Sequence, residues 1–403
     1  MIDRIVYLAS LVFLASLTFS TALMEISFGV ALAGWLLLKM KEKSPLSFPC
    51  ERKMFFSLLV FVFLSVISFF WSEFPKQSFR GIFKILQQFF IFWITAETLI
   101  PQDRRETALR VLVFVFLFLG FDGMWQYVAG KDLLRQIPIE MASSGPRVSA
   151  SFHNYGLLAA FIISFCPLLV SQLEGKAKKS TLFLTALAIV FGVLLLFWTR
   201  LRGGWIAFLA GLAFFLGFQR KRKFLLGILI AGTLVSLFFL PREMTIHLDG
   251  LGKEQSLVER LYLWDRAIDV IEARPWTGTG INTYKVAHEK YDQRASWRVK
   301  GYYAHNGYLQ IAAETGLPSL AFFLAFLFFY FRNAFQFLAR GSRKGEKGSL
   351  RGILAGVAGF LILGTIDTVF HNPQSVLGFW FLAGWGIACQ NALFSKSLVG
   401  AKG

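Results

Sequence analysis

Residues 54–71 read MFFSLLVFVFLSVISFFW, with no charge, glycine or proline. As an α-helix these residues would be about 27 Å long at 1.5 Å per residue, close to the ~30 Å hydrocarbon core of a bilayer. The run is continuously apolar and lacks the period-two alternation of a barrel strand, so it reads as a membrane-spanning helix. Glu51-Arg52-Lys53 precede it and Ser72-Glu73 follow.

Similar runs recur from end to end. Twelve spans are expected, at 5–20, 22–38, 54–71, 82–100, 110–128, 155–171, 181–198, 203–218, 224–240, 305–331, 352–370 and 374–393. The span at 305–331 is broken by Gly316 and Pro318. The first two lie close together, with Glu25 just inside the second. The fold class is therefore all-α, a polytopic membrane protein of about 12 helices. It divides into spans one to nine (1–240), an outer loop subdomain (241–303) and spans ten to twelve (304–403).

Composition agrees. Of 403 residues, 55% are hydrophobic, 17% aromatic and only 16% charged, against about 25% charged in an ordinary soluble domain. A soluble enzyme, a disordered tail and a disulfide-stapled secreted module are excluded. The formal charge of +18 would suit a nucleic-acid binder, but its placement argues otherwise. Lys and Arg crowd into alternate short loops, with five at 39–53, four at 220–223 and six at 332–351, whereas 72–81 carries only Lys76 and Arg80. This bias marks the cytoplasmic side. Both termini are expected there, nearly all of the positive excess is an orientation signal, and no nucleic-acid partner is implied.

The chemistry is then expected on the outer face. Its one long segment is 241–303, and all five histidines (His153, His247, His288, His305 and His371) fall there or at outer span ends. Cys50, Cys166 and Cys389 lie in a cytoplasmic loop or within spans, so no outer disulfide framework is expected. No spacing suggests a metal site, and no cofactor is expected.

Three local patterns carry candidate residues. The turn Thr199-Arg200-Leu201-Arg202-Gly203-Gly204 places two arginines at an outer span mouth, where interfacial arginines usually snorkel. Arg200 is the more ordinary anchor. At Arg202, the Gly-Gly pair would let a ligand approach, and a guanidinium binds phosphate oxygens bidentately.

The segment 256–272, SLVERLYLWDRAIDVIE, reads as an amphipathic helix with a stripe of Leu257, Leu261, Trp264, Ile268 and Ile271. Arg260 borders that stripe, while Arg266 is expected to face water. The following turn, Arg274-Pro275-Trp276-Thr277-Gly278-Thr279-Gly280, is weak as a phosphate loop because GxGxxG is not completed. The third pattern is HNGYLQIAAET at 305–315. It places His305 and Asn306 at the outer end of the broken span, with Glu314 near the break. A lone histidine is usually structural, but polar groups at a helix break commonly line a cavity. Asp122 and Asp367 are expected to partner the arginines.

These residues resemble the O-antigen ligase/polymerase superfamily. The resemblance rests on Arg260-x-x-x-Trp264, the Pro275-x-x-Gly278-x-Gly280 turn, His305-Asn306 and Glu314-x-Gly316. Arg202 stands at the arginine of a turn that in the family reads T-G-S-R-G, although Arg200 and Leu201 replace the usual Gly and Ser. The segment Arg147-Val-Ser-Ala-Ser-Phe-His153-Asn154 is similar to the family's stretch before a central span. The motifs cover roughly 147–320.

The resemblance implies metal-independent, inverting glycosyl transfer on the periplasmic face of a bacterial inner membrane, with an undecaprenyl-diphosphate-linked glycan as donor. One sizeable late outer loop favours the ligase, with lipid A–core as acceptor, over polymerisation or transfer to protein hydroxyls. Arg202 and Arg260 would bind the diphosphate, with Arg147, Arg200, Arg266, Asn306 and His153 as further substrate contacts. His305 would act as general base, orient the acceptor hydroxyl, or bond the diphosphate. A charged-lipid flippase is the rival from another class, since it too predicts outer arginines and a broken span.

Overall fold

A computed structural model describes residues 1–42, 50–142, 145–174, 177–217, 255–291, 301–339 and 344–400. The protein is an all-α, multi-pass membrane protein. Its elements are α1 (Ile2–Ser16), α2 (Thr21–Glu42), α3 (Arg52–Ile67), α4 (Pro75–Thr98), α5 (Gln102–Ala129), a short hairpin of β1 (Glu140–Ala142) and β2 (Gly145–Arg147), α6 (Tyr155–Gln172), α7 (Lys179–Trp198), α8 (Arg202–Gly217), α9 (Gln255–Ala273), α10 (Tyr284–Tyr291), α11 (Gly307–Ala339), α12 (Lys344–Leu363) and α13 (Pro373–Gly400). Six helices among the described residues are both long and apolar enough to cross a bilayer. The expected span 224–240 lies outside the described residues, and every other expected span overlaps a helix.

Local chemistry sets the helix ends. The Glu51 carboxylate accepts from Met54 N and opens α3, and Asn154 Oδ1 accepts from Gly156 N at 2.7 Å to open α6. These caps satisfy N–H groups that a first helical turn leaves without partners. The core is aromatic. Trp380 of α13 meets Phe92 of α4 and Phe326 of α11 at ring separations of 5.8 and 5.4 Å. Around this centre α6 packs on α12, α4 on α13 and α3 on α11.

Three expectations need correction. The span expected at 352–370 ends at Leu363, and residues 364–372 form a loop. Asp367 accepts from Thr368 N at 2.7 Å within this loop, and Asn372 Oδ1 accepts from Gln374 N at 3.1 Å to start α13. These side chains offer the backbone an alternative to helix.

Asp122 is buried and has no arginine partner among the described residues; it accepts the Leu133 N–H at 2.7 Å and secures the chain leaving α5.

The third correction concerns α9. Its buried face is Leu263, Arg266, Ala267 and Val270, packed on α10 and α11, while Val258, Leu261 and Ile268 are exposed. Arg266, expected to face water, is only 4% exposed and is neutralised by Asp265 at 2.6 Å and Asp269 at 2.5 Å. The apolar stripe therefore marks the outward flank of α9, as suits a helix that meets its own bundle on one side and lipid depth on the other.

Candidate active site

The broken helix and the turn after α9 are built for each other. Gly316 has φ 85° and ψ 162°, which breaks α11 internally. Across the break, Thr279 N donates to Ala313 O at 3.0 Å, Gly280 N to Glu314 O at 2.8 Å and Leu317 N to Pro275 O at 2.8 Å. A Cβ on Gly278 would strike the Glu314 carbonyl, and one on Gly316 would strike that of Trp276. Gly278 thus admits the chain's own backbone, and a Cβ on Gly280 would strike the Ser72 and Ser78 side chains, so this turn is packed within the protein and is not a phosphate loop. Glu314 completes the clamp by accepting from Asn282 N at 2.7 Å and Tyr284 N at 3.1 Å.

This clamp fixes α9 against the outer end of α11, where His305 sits. Asn306 caps α11, accepting from Tyr308 N and Leu309 N at 3.0 and 3.1 Å, so its amide oxygen is committed to structure. His305, with φ 47°, precedes that cap. The Trp264 indole N–H reaches the His305 carbonyl at 3.4 Å. Arg260 lies one turn before Trp264 on the same side of α9.

His305 Nδ1 lies 3.5 Å from Asp367 Oδ1 in the 364–372 loop. Burial opposes ionisation of Asp367, yet the His305 imidazole, the Thr368 N–H and the charges of His305 and Arg260 hold its carboxyl below the usual range. Arg260 is half-buried, and its charge also acts on Tyr155. Tyr155 is in turn bound to Arg147, with its hydroxyl 3.1 Å from Nη1 and its ring 4.6 Å from the guanidinium. Arg202 is the exposed first residue of α8. A Cβ on neighbouring Gly203 would strike Ile366, next to Asp367, so this turn abuts the same loop. His305, Asp367, Arg260, Tyr155, Arg147 and Arg202 are therefore linked, directly or through neighbouring residues, around the 364–372 loop.

The remaining sequence candidates lie apart or are occupied. Arg200, with φ 53°, donates Nε–H to Pro146 O at 3.0 Å and pins the hairpin that presents Arg147. Arg266 is held by its two aspartates. His153 is exposed, and partial burial together with the charge of Arg135 lowers its pKa; it lies with Arg135 and Asp132. Tyr155 was missed as a site residue. Asp367, taken as a general partner of arginines, turns out to sit against the imidazole. The helix count hid it, because a carboxylate inside an expected span carries no signal of being in a loop.

Residues 186–324 match the family model described as O-antigen ligase (Wzy_C). This stretch belongs to the O-antigen ligase/polymerase superfamily. It includes Arg202, Arg260, Trp264, His305 and Glu314. The chain is also 25% identical over 107 residues to the exopolysaccharide production protein ExoQ of Rhizobium meliloti (strain 1021), covering 25% of this chain and 25% of that protein. The alignment thus spans about a quarter of that relative's length.

Proposed function

We propose that the protein is an O-antigen ligase, transferring a glycan from undecaprenyl diphosphate to lipid A–core at the periplasmic face of the inner membrane, with both termini cytoplasmic. The observation that carries this reading is the His305–Asp367 pair, with the charge of Arg260 acting on the same carboxylate, Arg202 in the turn that abuts its loop and Arg147 reached through Tyr155. Arg202 and Arg260, with Arg147 held ready by Tyr155, supply fixed positive charge for a leaving diphosphate. The acceptor hydroxyl oxygen bonds to the anomeric carbon as the bond from that carbon to the phosphate oxygen breaks, and the lipid diphosphate departs with the electron pair. With Asp367 facing Nδ1, the Nδ1–H tautomer of His305 leaves Nε2 to take the hydroxyl proton.

Deleting the gene tests the assignment. Loss of long glycans from lipid A–core with accumulation of lipid-linked polymer supports ligation, and an unchanged lipopolysaccharide profile contradicts it. A second reading, polymerisation of a lipid-linked glycan, is favoured by the relative named for exopolysaccharide production. It predicts cores capped with a single repeat unit.

A further inference from the structure

We infer that the outer end of α4 is a docking surface for the phosphate group of the acceptor lipid, separate from the arginines assigned to the donor. The inference rests on the transferase reading above, because it supplies that reaction's second substrate.

Lys76 and Arg80 lie one helical turn apart near the start of α4, about 6 Å along its axis. Both are exposed, and neither has an acidic partner among the described residues. Their neighbours differ. Arg274 and Lys290 are both bound to Glu73, at 2.5 and 2.6 Å, and Lys84 donates to Asn282 Oδ1 at 2.9 Å. Lys76 and Arg80 therefore keep their charge for something outside the bundle.

The same stretch of α4 carries the large exposed rings Phe79 (54%) and Phe83 (60%). Exposed aromatic rings beside two unmatched cations complement an anionic headgroup above an acyl chain. On the proposed orientation this is the outer leaflet, where the positive-inside bias disfavours cations without a function.

This surface connects to the reacting group through contacts that do not involve Arg260. At Gly81, α4 presses directly against Ile281 and Asn282. Asn282 is clamped by Glu314, Gln310 bonds Glu314 at 3.1 Å, and Gln310 meets His371 Nδ1 at 3.2 Å. The His371 ring packs on Tyr303 with centroids 4.0 Å apart, two residues before His305. A cavity of about 80 Å³ lies under this chain, lined in part by Lys84, Asn282, Glu314 and His371. In the 364–372 loop, Asp367 faces His305, whereas His371 shares the cavity with Lys84 of α4. A lipid held by its phosphate at Lys76 and Arg80 would approach His305 along this chain of contacts.

The test uses the full chain in nanodiscs, comparing wild type with the double variant Lys76→Gln/Arg80→Gln. The first arm measures binding of lipid A carrying both phosphates, the same lipid dephosphorylated, and phosphatidylglycerol. Wild type should prefer the bisphosphorylated lipid at least tenfold, and the double variant should lose that preference. The conservative pair Lys76→Arg/Arg80→Lys should keep it. The second arm measures transfer. The acceptor KM should rise about tenfold in the glutamine variant while the donor KM stays fixed. Equal binding of phosphatidylglycerol, no dependence on the phosphates, or a matching rise in donor KM would overturn the inference. Phosphate-selective binding without any transfer to lipid A–core would instead fault the ligase reading and leave the docking surface standing.

Discussion

His305 Nδ1 and Asp367 Oδ1 stand 3.5 Å apart, although the two residues belong to different helix ends and are separated by 62 positions in sequence. On the proposed mechanism the carboxylate would select the imidazole tautomer and steady the cation that forms when Nε2 takes a proton. Replacing Asp367 by Asn keeps the shape and removes the charge. Transfer should fall about 100-fold, within the range expected for a positioned general base. Steady-state rates of purified Asp367→Asn protein against wild type check this.

Trp264 restrains the same histidine from its backbone side. Trp264→Phe keeps the ring and loses the indole N–H that reaches the His305 carbonyl. The expected result is a drop of about tenfold in kcat, equivalent to ~1.4 kcal/mol, with little change in melting temperature. Steady-state kinetics alongside thermal melting in detergent separates this from simple unfolding.

The backbone clamp at the broken helix predicts a different outcome. Gly316→Ala would impose a Cβ at φ 85° and against the Trp276 carbonyl. Strain of this kind costs about 1–3 kcal/mol before the clash is counted. Melting temperature and yield should fall together, whereas Gly29→Ala, which meets nothing within 4 Å, should be neutral.

His371 gives the pH dependence of stability. Burial pushes its pKa down from 6.5 to about 3, with the charges of Lys84 and Lys285 contributing. Above pH 6.5 the imidazole is neutral in both folded and unfolded chains and contributes no slope. As pH falls from 6.5 toward 3, only the unfolded chain takes up the proton, so stability is lost across that window. Melting temperature recorded from pH 7.5 to 5 should decline, and His371→Asn should flatten the decline.

The architecture was legible in the sequence because lipid forces each crossing to be a continuous apolar helix, as at 54–71. The candidate residues His305, Arg202 and Arg260 were also legible, through motif spacing. What failed was facing. In α9 Arg266 was expected to face water, but it points in, while Leu261 and Ile268 of the apolar stripe point outward. In a membrane protein the exterior is apolar too, so an apolar stripe does not tell bundle from lipid. The Asp367 loop was hidden for a related reason. Val369 and Phe370 continue the hydrophobic run, and only the turn made by the Asp367 and Asn372 side chains ends the helix. The role of Gly278 and Gly280 depended on what packs against them, the Glu314 backbone and the Ser72 and Ser78 side chains, which spacing cannot supply.

The central claim is tested most directly by transfer in vitro. Purified protein is given an undecaprenyl-diphosphate-linked glycan and lipid A–core, with no ion gradient and with chelator present. The account predicts glycan on lipid A–core with wild type, and a loss of about 100-fold or more with Arg260→Ala and with His305→Ala. Absence of product with folded wild type, or near-normal rates in both variants, would contradict it.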